Sequence, residues 1–247
     1  MGDNMDNYGD DFQKKSKYKR GELPRHYLDW DNKPNTYKEY PDALDIIKLP
    51  NPKFDPEISF WNVISNRKST RNFASSPISS MELSLLLFGM MGLTRKFPNF
   101  AFRTTPSAGG LYPIEIYPVI NNVSNIEQGI YHYNVPNHQL ELLKKGDFRM
   151  EVAKGCLDQK MAYNSSVNFI WTAITERSQW KYLQRCYRYI YLDAGHIGQN
   201  FYLVAEALNL GACTIGAIYD DELNGLLDID GKSETCIYVG IVGKLRK

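Results

Sequence analysis

Long apolar runs are missing from this 247-residue sequence. No stretch approaches the roughly eighteen consecutive apolar residues that a membrane-spanning helix needs, so no membrane span is expected. An excess of charge of one sign is missing too. Twenty-nine basic residues against 28 acidic ones leave a formal net charge of +1, which gives no electrostatic footprint for nucleic acid. Cysteine and histidine are scarce. Cys156, Cys186, Cys213 and Cys236 lie far apart with no CxxC pair, which fits a reduced cytoplasmic protein better than a disulfide framework or a zinc site. His26, His132 and His138 show no metal-ligand spacing, so no metal is expected. His196, on a helical stretch among small residues, is expected to be a packed, hydrogen-bonded core histidine rather than a catalytic one. Neither a P-loop nor a GxGxxG fingerprint occurs, which leaves nucleotide sites of those kinds unsupported. The N-terminal stretch MGDNMDNYGDDFQKK is polar and acidic without an apolar core segment, so no secretory signal is expected and the location is read as cytoplasmic.

What is present reads as a folded domain behind an arm. Apolar content of 43% and charged content of 23% lie near globular averages, which argues against disorder. Residues 1–50 carry Pro24, Pro34, Pro41 and Pro50 between large apolar groups such as Tyr27, Trp30 and Tyr40. They are read as an extended arm lying on a folded surface and fraying over roughly its first fifteen residues. Residues 51–247 are read as one α+β domain, a sheet covered by helices. Pro56 opens a short helix to Asn66. Ser79-Ser80-Met81-Glu82 is a capping box for a helix whose apolar stripe includes Leu83, Leu86, Leu87, Met90 and Met91, with Gly92 ending it. Strands are expected at 114–120, at 129–133 and 139–143 (a hairpin across Pro136-Asn137), at 167–174, 212–218 and 235–242. Short helices are expected at 148–157 and 220–227, and a long one from about Leu183 to Leu210, capped by Gly211. Small residues of that helix, Ala194, Gly195, Gly198 and Ala207, are expected to permit close helix contact.

Three remote segments call for a common purpose. Arg67, Lys68, Ser69 and Arg71 place three cations within five residues, which self-repel unless an anion or carboxylates are near. Pro106, Ser107, Ala108, Gly109, Gly110 and Leu111 form a loop of small residues that lets a flat ligand approach the main chain. Lys244 and Arg246 add two cations directly after the last strand. A ligand with a phosphate at one end and a flat polar ring at the other would use all three. Each segment alone also reads as ordinary structure, a solvated basic turn or a plain glycine turn.

Taken in order, RKSTR, PSAGGLYPIEIY, KYLQRCYRYIYLDAGHIGQN and VGIVGK resemble the FMN-dependent nitroreductase superfamily and, within it, the SagB-type dehydrogenases that oxidise azolines in peptides. The resemblance runs from about Tyr27 to the C-terminus. It implies a nitroreductase-like FMN fold with a central, mainly antiparallel sheet flanked by helices, and an intertwined homodimer with both active sites at the subunit interface. It further implies that Arg67, Lys68, Ser69 and Arg71 contact FMN, that Pro106, Ser107, Ala108, Gly109 and Leu111 lie beside its ring system, and that Thr214, Ile215 and Gly216 lie against it. Lys244 and Arg246 fall near the family's phosphate-binding cations. Lys181 and Tyr182 match a pair regarded as catalytic in azoline dehydrogenases. A lysine base has an ordinary pKa of about 10.4, so burial or a neighbouring cation has to depress it; Arg177 and Arg185 are the nearest candidates in sequence. The implied substrate is a small molecule or a peptide. A reductase of nitro, quinone or enone compounds using NADH or NADPH, and an FMN-binding protein without turnover, are the other readings that the resemblance allows.

Overall fold

Eight mostly apolar residues, Val167–Ile174, form an interior strand of a seven-stranded sheet, as an uninterrupted buried run should. The computed structural model describes residues 7–98 and 100–246. In chain order its elements are α1 (Tyr8–Lys15), β1 (Asp45–Lys48), α2 (Phe60–Asn66), α3 (Ser80–Met91), β2 (Leu93–Lys96), β3 (Ala101–Arg103), β4 (Ile114–Ile120), β5 (Gly129–Asn134), β6 (Gln139–Lys145), α4 (Arg149–Gly155), α5 (Lys160–Tyr163), β7 (Val167–Ile174), α6 (Thr175–Tyr182), α7 (Cys186–Ala207), β8 (Leu210–Ile215), α8 (Asp220–Leu226) and β9 (Glu234–Lys244).

The sheet runs β1-β6-β5-β4-β7-β9-β8, and all its neighbouring strands are antiparallel. β2 and β3 form a separate hairpin. The fold is therefore α+β, a central antiparallel sheet flanked by helices. Strand alternation assigns each face. Phe169 and Trp171 of β7 join Ile114 and Ile116 of β4 in the core under α3 and α7, while Ile170, Tyr117 and Val119 point into a second core under α4 and α8.

Several local expectations hold. Ser79 caps α3 with a complete capping box, its Oγ accepting from Glu82 N while the Glu82 carboxylate accepts from Ser79 N. Others are corrected. α2 begins at Phe60 behind an Ser59 cap, not at Pro56, and Val63 is its one buried residue. Of the expected frayed terminus, residues 1–6 lie outside the described residues, and Tyr8–Lys15 is helical. The long helix expected from about Leu183 is α7, which starts at Cys186 after Leu183 takes a positive φ of 49°; the helix before it, α6, was not expected. α7 stops at Ala207, with Asn209 rather than Gly211 in the left-handed conformation, a role asparagine tolerates. Gly211 lies inside β8. Close helix contact comes from α3: a Cβ on Gly89 would meet Val204 Cγ2 at 2.4 Å, whereas Gly195 faces open space.

The sheet also buries charge. Glu115 on β4 accepts from Arg177 Nη1 of α6 at 2.5 Å, both side chains being 3% exposed. Its other oxygen lies 3.1 Å from His132 Nε2, and His132 Nδ1 lies 2.8 Å from Glu141. A ring between two carboxylates donates from both nitrogens and is cationic. Burial opposes the charge of Glu115, yet the His132 hydrogen bond and the nearby Arg177 and Arg103 charges lower its pKa to about 2. For His132, burial is likewise overcome by the two glutamates, which raise it.

The signs follow from linkage. His132 contributes stability fully below its ordinary value of 6.5 and loses it as pH rises through the raised folded value. Glu115 contributes above its ordinary 4.5 and loses it as pH falls towards about 2. Urea unfolding across pH should show His132→Asn flattening the decline above about pH 6.5. Near neutral pH, Glu115→Gln should cost about 3–5 kcal/mol, because Arg177 stays buried without its partner.

Candidate active site

α6 follows β7 without a loop, so the sheet aims it. Arg177, in its first turn, is tied down by Glu115 and by the carbonyls of Tyr112 (3.1 Å) and Asn35 (2.7 Å). One turn further on come Lys181 and Tyr182, the last residues of the helix. Lys181 is exposed, with Nζ 5.6 Å from the Tyr182 ring centroid. Tyr182 packs on Tyr189 at 4.4 Å between centroids. Burial, then the neighbouring Tyr189, Tyr18 and Asp193, push its phenol above the ordinary value, so it stays protonated and able to donate at neutral pH. Arg177 is committed to Glu115. Arg185 is committed to Tyr189 Oη and to the carbonyl of Ser16, with its guanidinium 4.2 Å from the Tyr18 ring centroid.

The glycine loop packs against this pair. Thr104 and Thr105 donate to the Phe88 and Met90 carbonyls at the end of α3, which fixes where the loop begins. Ser107 Oγ then donates to Asp193 Oδ2 (2.5 Å), Ala108 N donates to Asp193 Oδ1 (3.1 Å), and Ser107 Oγ accepts from Tyr112 N (2.9 Å). The hydroxyl proton of Ser107, expected beside the FMN ring system, is thus spent on α7. Gly109 has a φ of 67°, and a Cβ there would lie 2.8 Å from Tyr182 Oη and 3.2 Å from Lys181 Nζ. Only glycine fits. Pro106 is exposed at the loop's start and Leu111 is buried at its end. Burial raises the Asp193 carboxyl, against the opposing pull of Ser107 and Ala108.

The basic segment is organised at the other end of α7. Ser69 bridges to Ala212, and Thr70 N donates to the Ala212 carbonyl (2.7 Å), which lays the segment along β8. Tyr202 is the hub. Its hydroxyl lies 3.0 Å from Ser69 Oγ and accepts from Thr214 N at 2.9 Å, while the Arg67 guanidinium stands 5.2 Å from its ring centroid. Thr214 Oγ1 continues to Tyr238 Oη at 2.6 Å. Ile215 is buried, and Gly216 is exposed beside the Tyr238 ring. Lys68 and Arg71 are exposed, and among the described residues no carboxylate pairs with Arg67, Lys68 or Arg71. Lys244 differs: its Nζ donates to Glu82 Oε1 at 2.6 Å. Arg246 is exposed on the rim of a depression of about 490 Å³ that Phe73, Ser75 and Arg149 also line.

The structure therefore gathers Lys181, Tyr182 and the 106–111 loop into one cluster, and Arg67, Ser69 and Thr214 into a second. Lys244 joins neither. Asp193, Tyr202 and Tyr238 were not singled out in the sequence as site residues. A carboxylate within the apolar repeat of α7 was the available signal for Asp193; nothing marked the tyrosines among 17. His196 is exposed rather than packed, while the buried histidine is His132.

The sequence pattern described as the nitroreductase family matches residues 64–244. The MJ1384 protein of Methanocaldococcus jannaschii, named as a nitroreductase, is 36% identical over 173 residues, covering 70% of this chain and 86% of its own length. The trifolitoxin-processing protein TfxB of Rhizobium leguminosarum bv. trifolii is 30% identical over 145 residues, covering 57% of this chain and 39% of TfxB. A crystal structure from Anabaena variabilis, described as a nitroreductase, superposes with a TM-score of 0.76 at 28% identity, covering 94% of this chain and 45% of that one. The chain thus spans less than half the length of the last two.

Asp193→Ala should free the loop while leaving the sheet intact. Amide hydrogen exchange at 107–112 should accelerate by about tenfold or more, the loss of two bonds to a carboxylate, with exchange in β7 unchanged.

Proposed function

Because the chain belongs to the nitroreductase family, we propose that it is an FMN-dependent oxidoreductase of the SagB-type dehydrogenase group, working as a homodimer on a substrate that gives up a hydride and a proton. The observation that carries this reading is the packing of Lys181 and Tyr182 against Gly109, an amine and a protonated phenol held on a loop that admits no side chain.

The residues present suit FMN. Arg67, Lys68 and Arg71 have no carboxylate partner among the described residues, and guanidinium forks match a phosphate monoester. Thr214, Ile215 and Gly216, held by Tyr202 and Tyr238, supply main chain for a flat ring system. When bound, FMN supplies a two-electron hydride acceptor or donor at N5. The chain's own residues do the rest. Lys181 is the residue assigned to take the acidic carbon-bound proton of the substrate. Tyr182, kept protonated, donates a hydrogen bond to the substrate heteroatom. A peptide azoline is the substrate class that the SagB-type resemblance implies, and the relationship to TfxB, named as a trifolitoxin-processing protein, is in keeping with it.

A homodimer is supported by the outer face of α2, where Phe60, Trp61 and Ile64 stand exposed beside an apolar groove of about 350 Å³ lined by Phe54, Ile58 and Val204. Apolar area of this kind on one face marks an interaction site. A reductase of nitro, quinone or enone compounds using NADH or NADPH is the second reading, favoured by the relationship to MJ1384.

The visible spectrum of purified protein decides between them. The expected result is a yellow protein that NADH and NADPH leave unbleached under anaerobic conditions and that an azoline peptide bleaches. Bleaching by pyridine nucleotide would instead establish the reductase, and a colourless protein that FMN cannot reconstitute would remove both readings. Arg67→Ala/Arg71→Ala should weaken FMN binding by about 100-fold or more, since charge-assisted bonds contribute roughly 1.5–3 kcal/mol each. Lys181→Ala should keep the flavin band and lose substrate-driven bleaching.

A further inference from the structure

Between α1 and β1 the chain is held largely through side chains, and the contacts of its first half lie around the end of α6 and the start of α7. On one side, the Trp30 and Trp180 rings meet edge-on at 5.1 Å, and Trp180 Nε1 donates to the Asp29 carbonyl at 2.7 Å. His26 Nε2 lies 2.7 Å from the Trp180 carbonyl. A carbonyl only accepts, so Nε2 carries a proton and spends it on Trp180. On the other side, Arg188 donates to Ser16 Oγ (2.9 Å) and to the Gln13 carbonyl (2.8 Å), and Arg185 stacks on Tyr18. The arm is thus fastened on both flanks of Lys181-Tyr182, and what lies between the fastenings faces those two residues.

That intervening stretch bounds a pocket of about 200 Å³, lined by Tyr18, Leu23, Pro24 and His26 from the arm and by Lys181, Tyr182 and Leu183 from the α6–α7 connection. Its size is below the roughly 300 Å³ at which sites for drug-sized ligands begin, and corresponds to about seven waters' share of liquid. One planar ring fills it. Its walls are two phenol rings, a proline and leucines, surfaces that suit a flat, weakly polar ring. Its polar groups are the His26 imidazole, whose Nε2 proton is spent on Trp180, and the Lys181 amino group, a donor that calls for a ring or substituent bearing an acceptor atom. Leu23, 62% exposed, stands on the rim.

We propose that residues 18–26 form the substrate wall of the active site: together with Lys181 and Tyr182 they make a subsite for a single planar ring with an acceptor atom, and they select substrates by size. This rests on the reading of Lys181 and Tyr182 as active-site groups of a flavin oxidoreductase. His26 and Leu23 are specificity residues under this proposal, and Trp30 is a positioning residue that keeps them in place through Trp180.

The test uses full-length protein loaded with FMN, and two full-length variants. Trp30→Ala/His26→Ala removes one fastening of the arm; Leu23→Trp narrows the pocket. The flavin is reduced with dithionite, and its reoxidation is followed anaerobically by stopped flow with 1,4-benzoquinone or anthraquinone-2-sulfonate, each quinone taking two electrons and two protons to become the hydroquinone. Comparing variants by the ratio of the two rates cancels the quinones' intrinsic reactivity. Releasing the arm should lower the preference for benzoquinone by about tenfold, through faster reaction of the larger quinone. Leu23→Trp should slow benzoquinone several-fold at unchanged flavin content. A second readout needs no turnover: acylation of Lys181 by acetic anhydride and by a bulky N-hydroxysuccinimide ester, read by peptide mass spectrometry. The bulky-to-small labelling ratio should rise several-fold when the arm is released. An unchanged labelling ratio overturns the proposal, as does an unchanged quinone preference in a flavin-loaded protein. A parent protein that binds no flavin overturns the flavin reading, and the labelling ratio then still decides whether the arm walls Lys181.

Discussion

The buried pair between Arg177 and Glu115 stands where the sheet, α6 and the N-terminal arm meet. Neither group can be left unpartnered at 3% exposure, so the surrounding elements are arranged to satisfy both. Glu115 turns its second oxygen to His132 on β5, which passes on to Glu141 on β6. Arg177 directs its remaining protons to the Tyr112 carbonyl at the end of the glycine loop and the Asn35 carbonyl on the arm. Six segments (β4, β5, β6, α6, the glycine loop and the arm) are thereby fixed relative to one another by one polar network. Lys181 sits one turn above Arg177, so the position of an exposed amine is set by an ion pair it never touches.

α7 carries the second set of constraints, and divides it between two side chains. Asp193 holds the glycine loop, and Tyr202 holds the basic segment against β8. In both cases the holding group is internal and satisfied, while the groups it presents, Lys181 at one end and Lys68 and Arg71 at the other, are exposed. This separation of rigid support from free chemistry is what a preorganised site requires.

The parts of this arrangement that were legible from sequence are those governed by neighbours in the chain. A capping box spans four residues and a buried strand eight, so Ser79–Glu82 and Val167–Ile174 could be read directly. The same holds for the loop glycines and the clustered cations. Helix α6 could not be read, because its buried residues are Thr175, Arg177 and Ser178 rather than an apolar stripe; leucine takes a positive φ at 183 between two pinned helices, α6 held by Arg177 and the start of α7 by Arg185 and Arg188 on the arm. The exposure of His196 and the hub role of Tyr202 are equally tertiary. Helical periodicity placed both on α7, but which side of a helix faces the sheet depends on partners far away in sequence.

Lys244 shows the same limit with a chemical consequence. Its partner Glu82 is 162 residues away and also closes the capping box of α3. Burial works against that carboxylate's charge, but Lys244 and Ser79 together hold its pKa below the ordinary value, so it stays ionised and keeps its claim on the ammonium. An anion that recruited Lys244 would have to displace a 2.6 Å charge-assisted bond, worth about 1.5–3 kcal/mol, and would leave Glu82 with an N-cap as its remaining support. Among the described residues, Arg67, Lys68 and Arg71 have no such competitor. The sequence reads the cations of residues 67–71 and Lys244 as contacts of one ligand; the structure makes them unequal, with no carboxylate on residues 67–71 among the described residues and Lys244 available only at the expense of the helix that Glu82 starts.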